Sequence, residues 1–150
     1  MNERPVKALF EITLAVQLAA FVPLPAAAQP AGLVVTDAWF RSLPGKLPAA
    51  GYFSLRSNSG LTLAVTGAES DGCGKLLLHK SSGNGGMSSM AMVDKVTVPP
   101  GGTVKFAPGG YHLMCVDPRL KTGSRMPVTL HLSDGSSVIA AFQVHGATGK

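Results

Sequence analysis

Between Leu33 and His145 the chain never sustains a helical period of useful length; apolar and polar residues alternate in short runs cut apart by glycine, proline, serine and aspartate. The runs predict strands at Leu33–Trp39, Ala50–Ser57, Leu61–Gly67, Lys75–Lys80, Ala91–Val98, Thr103–Ala107, Tyr111–Val116, Met126–Ser133 and Ser136–His145. Turn chemistry separates them: Ser57-Asn58-Ser59-Gly60, Pro99-Pro100-Gly101-Gly102, Pro108-Gly109-Gly110 and Ser133-Asp134-Gly135, the last a hairpin signal. Eight or nine strands in about 120 residues imply an all-β Greek-key sandwich or barrel. No repeat, charge run or second domain interrupts the pattern.

Residues 1–28 do not belong to it. Arg4 and Lys7 precede an apolar run from Ala8 to Pro25, and Ala26-Ala27-Ala28 closes it with small residues. This is the layout of a secretory signal peptide cut after Ala28; as a membrane anchor the run is barely long enough and holds two prolines. Either reading places the domain, residues 29–150, outside the cytoplasm. Glu3 and Glu11 cancel Arg4 and Lys7, so the domain keeps the whole formal charge of +5. A basic exported domain of this kind suits acidic partners or anionic headgroups. No Lys/Arg cluster interleaved with aromatics supports nucleic-acid binding. At 122 residues the domain buries a core without metal as scaffold, so any metal is cargo or cofactor.

Two histidines and two methionines stand at His79, Met90, His112 and Met114, with ten, twenty-one and one residues between successive members. Imidazole nitrogen and thioether sulfur without a carboxylate select Cu(I) over harder ions. Alternation along a strand sends His112 and Met114 to one side and Leu113 and Cys115 to the other. His79 closes the Leu76-Leu77-Leu78 run where a strand leaves the core, and Met90 falls in a Gly/Ser-rich stretch read as loop, so the expected site is an exposed rim. A thioether has no proton to lose and forms no disulfide, which suits Cu(I) in an oxidising compartment.

Other candidates read as structural. Taken singly, His131 and His145 are surface residues, and Trp39, Phe53, Phe106 and Phe142 are core. Cys73 and Cys115 most simply form a disulfide, although a reduced Cys115 beside Met114 would be able to join copper exchange. A blue-copper carrier needs Cys, His and Met packed in one loop, and after Cys115 the next histidine is His131 with Met126 before it, so the order fails. No nucleophile elbow and no paired acids near a histidine indicate an enzyme. Storage or resistance would use the same copper ligands as a carrier and differ only in destination; a sandwich without metal transfer is the remaining alternative.

These residues resemble the periplasmic copper chaperones for the binuclear copper centre of cytochrome c oxidase, the PCuAC family, whose motif is His, ten residues, Met, twenty-one residues, then His-x-Met. Asp37-Ala38-Trp39 with Arg41, Ala50-Gly51-Tyr52, and Pro99 through Thr103 leading to Pro108-Gly109-Gly110-Tyr111-His112-Leu113-Met114 are similar to family landmarks. The resemblance implies a cupredoxin-like Greek-key β-sandwich in the periplasm, binding one Cu(I) per chain through His79, Met90, His112 and Met114; the chain is expected to be a monomer. It also implies delivery to an oxidase subunit, directly or through a thiol-bearing assembly partner. The chain departs from the family around the first methionine, reading Met87-Ser88-Ser89-Met90-Ala91-Met92-Val93 where members carry basic residues, so Met87 and Met92 are alternative or relay ligands. The tail after His145 is short and lacks the His/Met-rich extension of some members.

Overall fold

The computed structural model describes residues 32–84 and 87–149. The signal peptide expected over residues 1–28 lies outside the described residues. The elements are β1 (Leu33–Arg41), β2 (Ala49–Ser57), β3 (Leu63–Glu69), β4 (Cys73–Asn84), β5 (Met87–Met92), β6 (Val96–Val98), β7 (Thr103–Phe106), β8 (Tyr111–Pro118), β9 (Arg125–Leu132) and β10 (Ser137–His145), with no helix among them. One sheet runs β5-β4-β8-β7-β2-β1-β10-β9-β3-β6, and the β4–β3 pairing closes it on itself, so the all-β expectation holds in the form of a barrel-like sheet.

Alternation builds the interior. Phe53 stacks on Phe106 with ring centroids 4.2 Å apart, and Phe40 lies 5.1 Å from Phe142, all four fully or almost fully buried. Burying side chains of this size is worth about 1.5–3 kcal/mol each. Leu76 and Leu78 of β4 and Leu113 and Cys115 of β8 join this core. The Cys73–Cys115 disulfide staples β4 to β8, with Cα atoms 5.4 Å apart, the pairing expected from the sequence.

Three sequence expectations are corrected. Ala91–Val98 is not one strand: β5 ends at Met92 and β6 begins at Val96, with Val93-Asp94-Lys95 between them. The stretch read as loop around Met90 is β5 itself, which forms a hairpin with β4. Trp39 is half-buried outside the core, because β1 carries a β-bulge.

The bulge decides which β1 side chains face the site. Before it Thr36 opposes Ser54, after it Trp39 opposes Tyr52, so β1 has gained one residue against β2. Asp37 absorbs the extra residue at φ 52°, a conformation aspartate tolerates better than most. Leu33 is buried ahead of the bulge and Phe40 after it, so inward parity flips from odd to even. Trp39 and Arg41 are thereby turned outward.

Candidate metal centre

Because Leu76, Leu78, Leu113 and Cys115 point inward, His79, His112 and Met114 project from the opposite, outer face of β4 and β8. The register places His79 directly opposite His112, and Leu77 opposite Met114. The two imidazole rings are 5.7 Å apart, inclined at 61°. A separation of 33 residues in sequence thus becomes a cross-strand neighbourhood.

Hairpin β4–β5 adds the thioethers. Met92 opposes His79 and Met90 opposes Ser81, two residues further along, so both methionines share the parity of the histidine face. Their side chains are 59% and 65% exposed for Met90 and Met92 respectively. Met90, His112 and Met114 line a common cavity of about 430 Å³, together with Arg41, Ala50, Tyr52 and Ser81. The four residues spaced in the sequence therefore lie on one face of three adjacent strands, with His112 near the start of β8 and Met90 in a strand rather than a loop. Met92 is brought just as near in register to His79; the side chain of Met87 lies outside the described ones.

Both imidazoles offer nitrogen donors on this face. His112 is 5% exposed, and its Nδ1 lies 3.2 Å from the carbonyl oxygen of Gly110. A carbonyl only accepts, so Nδ1 donates to it and Nε2 is the ring nitrogen left to face a metal. Nδ1 of His79 is buried without a hydrogen-bond partner among the described residues, an orphaned acceptor or donor of the kind a ligand satisfies. Desolvation, and then the proximity of His112, hold the His79 pKa below the ordinary 6.5. Tyr52 packs 6.4 Å from the His112 ring, and Trp39 lies 4.8 Å from Tyr52 and edge-on to His145 at 5.5 Å.

Among the described residues no three His, Cys, Asp or Glu side chains are grouped to hold a metal ion, and both cysteines are consumed in the disulfide. Zinc or calcium sites of the usual composition are therefore missing from the described residues, and Cys115 is unavailable as a copper thiolate. The donor set that remains is two imidazoles and two or three thioethers, which fits Cu(I). His131, by contrast, is engaged elsewhere, 3.2 Å from Ser137 Oγ and 3.6 Å from a Glu69 carboxylate oxygen. Arg41, in sequence only part of the Asp37-Ala38-Trp39 landmark, also reaches the site, because the bulge turns it into the cavity.

The closed β-sheet is similar in fold to solved PCuAC domains. The copper-bound PCuAC domain from PmoF2 superposes with a TM-score of 0.65 at 22% identity, covering 77% of this chain and 93% of that one, a likeness of fold. The Cu(I) form of DR1885 from Deinococcus radiodurans gives a TM-score of 0.61 at 27% identity over 79% of this chain and 81% of that one. The resemblance read in the sequence therefore holds. Residues 33–144 match the LpqE-like lipoprotein family model, and the chain belongs to that family. A relative named as a lipoprotein, Lxx21020 of Leifsonia xyli subsp. xyli, is 32% identical over 136 residues, covering 85% of this chain and 81% of that protein. Both lipoprotein names agree with an exported or membrane-associated protein.

Proposed function

We propose that this protein is a periplasmic copper metallochaperone that holds one Cu(I) through His79, Met90, His112 and Met114 and passes it toward cytochrome c oxidase assembly. The observation that carries the reading is the convergence of these four residues onto one outer face, through strand pairings between distant parts of the chain. Kinship with copper-binding PCuAC domains supports it. The cupredoxin-like Greek-key assignment belongs to the same reading and is supported by the non-sequential strand order.

Each donor has a physical reason. Neutral imidazoles bind without first losing a proton, and burial of His79 favours that state. Thioethers hold Cu(I) where a cysteine pair is oxidised, as Cys73 and Cys115 are here. They are also weaker donors than thiolates, so transfer to a thiol-bearing recipient runs downhill. The exposure of Met90 leaves one side of the site open to such a recipient. This openness favours delivery over storage.

The test is anaerobic competition for Cu(I) against a chromogenic chelator, with the mature protein and a His112→Ala/Met114→Ala variant. One equivalent held by the parent and lost in the variant is the expected result; equal weak binding by both would end the copper reading. Deletion of the gene should then lower oxidase activity at limiting copper, whereas loss of copper tolerance alone would mean storage.

A further inference from the structure

We propose that Arg41 forms an anion subsite at the mouth of the copper cavity and docks the thiolate sulfur of the recipient during handover. The inference rests on the copper reading above and adds to it a residue and a ligand class.

The placement of Arg41 is specific. The bulge at Asp37 turns it to the outer face, where it opposes Ala50, and Ala50 in turn opposes Met114. Arg41 and Met114 are therefore two strands apart, about 10 Å at the backbone. The residue between them is alanine, whose methyl group leaves the path open. Arg41 lines the same cavity as Met90, His112 and Met114. None of the described lining residues is acidic, and the Arg41 side chain makes no hydrogen bond or ion pair among the described residues. Elsewhere on the surface arginines are engaged: Arg119 donates to the Asp71 carbonyl oxygen at 2.9 Å and Arg125 to Gln143 Oε1 at 3.2 Å.

Charge accounting gives the site its logic. Neutral imidazoles and thioethers leave a bound Cu(I) with its full positive charge, so an unpaired guanidinium on the same cavity wall repels the cargo. The arrangement becomes favourable only when an anion enters between them. A thiolate is such an anion, and a guanidinium stabilises it against the thiol. In the exchange the recipient's thiol loses its proton to solvent, a copper–thiolate bond forms, and the bonds to thioether and imidazole break. Copper remains Cu(I), so no electron changes hands.

Stopped-flow transfer from Cu(I)-loaded protein tests this with two acceptors, dithiothreitol as thiolate and neocuproine as neutral chelator. Arg41→Gln should slow transfer to dithiothreitol about tenfold, hold Cu(I) no more weakly than the parent, and leave transfer to neocuproine within about twofold; higher salt should shrink the difference. Arg41→Lys should restore most of the rate. Equal slowing toward both acceptors, or none toward dithiothreitol, would overturn the subsite. A copper-free readout is thiocyanate, a soft sulfur-bearing anion, titrated into the apo-protein: the Arg41 Nε–H NMR signal should shift and saturate, and a signal that does not move overturns the proposal. A parent that takes up no Cu(I) but shows the thiocyanate shift would instead defeat the copper reading alone.

Discussion

Replacing Cys73 and Cys115 together by alanine opens a covalent loop with a sequence separation of 42 residues. The loop-entropy relation gives about 13 cal/mol/K for a loop of that size, or about 4 kcal/mol at 25 °C, as the stabilisation the cross-link supplies through the unfolded chain. Domains of this size are stable by about 5–15 kcal/mol, so the loss is a large fraction of the whole. With urea slopes of about 1–3 kcal/mol/M, the unfolding midpoint should fall by between about 1.3 and 4 M, with the variant still folding cooperatively. Because the staple joins β4 to β8, which carry His79 and His112, the variant should also bind Cu(I) more weakly. Urea melts of the oxidised parent and the double variant at pH 7 measure the first effect. A midpoint shift under about 0.5 M with unchanged slope would refute the claim that this disulfide stabilises the two strands bearing the histidines.

Other expectations are sharper in position than in size. A Cβ on Gly51 would sit 2.7 Å from Phe40 Cε1 and 3.2 Å from Leu113 Cβ, so Gly51→Ala should destabilise by about 1–3 kcal/mol, read from thermal melts. Met90→Leu should weaken Cu(I) binding about tenfold or more, and Met92→Leu by less than about threefold, in the chelator competition; the reverse ranking would make Met92 the ligand. His79 has a folded-state pKa below 6.5 because of burial and His112, so the unfolded chain takes its proton first as pH falls. Apo-protein stability should therefore be full above about 6.5 and decline below it, and His79→Gln should flatten that slope in urea melts across pH.

Much of this was legible in local sequence. The Ser133-Asp134-Gly135 turn between two alternating runs gave the β9–β10 hairpin within a residue of its bounds, with Gly135 at φ 82°. The Pro99-to-Gly102 turn, with Gly101 at φ 62°, likewise marked the entry to β7. Alternation alone put His112 and Met114 on one side of their strand; that this side is the outer one follows from the burial of Leu113 and Cys115. Met87–Met92 was not legible as a strand, because its Ser/Met composition carries neither β-branched residues nor a clear period and its pairing comes from β4. The inward flip in β1 depends on one extra residue at Asp37, which changes no composition signal but moves Trp39 out of the core and Arg41 into the cavity. Closeness of His79 to His112 followed from the motif spacing only by resemblance, since register between strands separated by this much chain is set by the whole sheet.

The central claim is that two imidazoles and two thioethers hold copper on this face. X-ray absorption at the copper edge of the singly loaded, anaerobic protein counts nitrogen and sulfur neighbours directly. The account predicts Cu(I) with a mixed shell of two nitrogens and two sulfurs that loses sulfur in Met114→Leu and nitrogen in His112→Ala; a shell of nitrogen and oxygen alone, unchanged by either substitution, would contradict it.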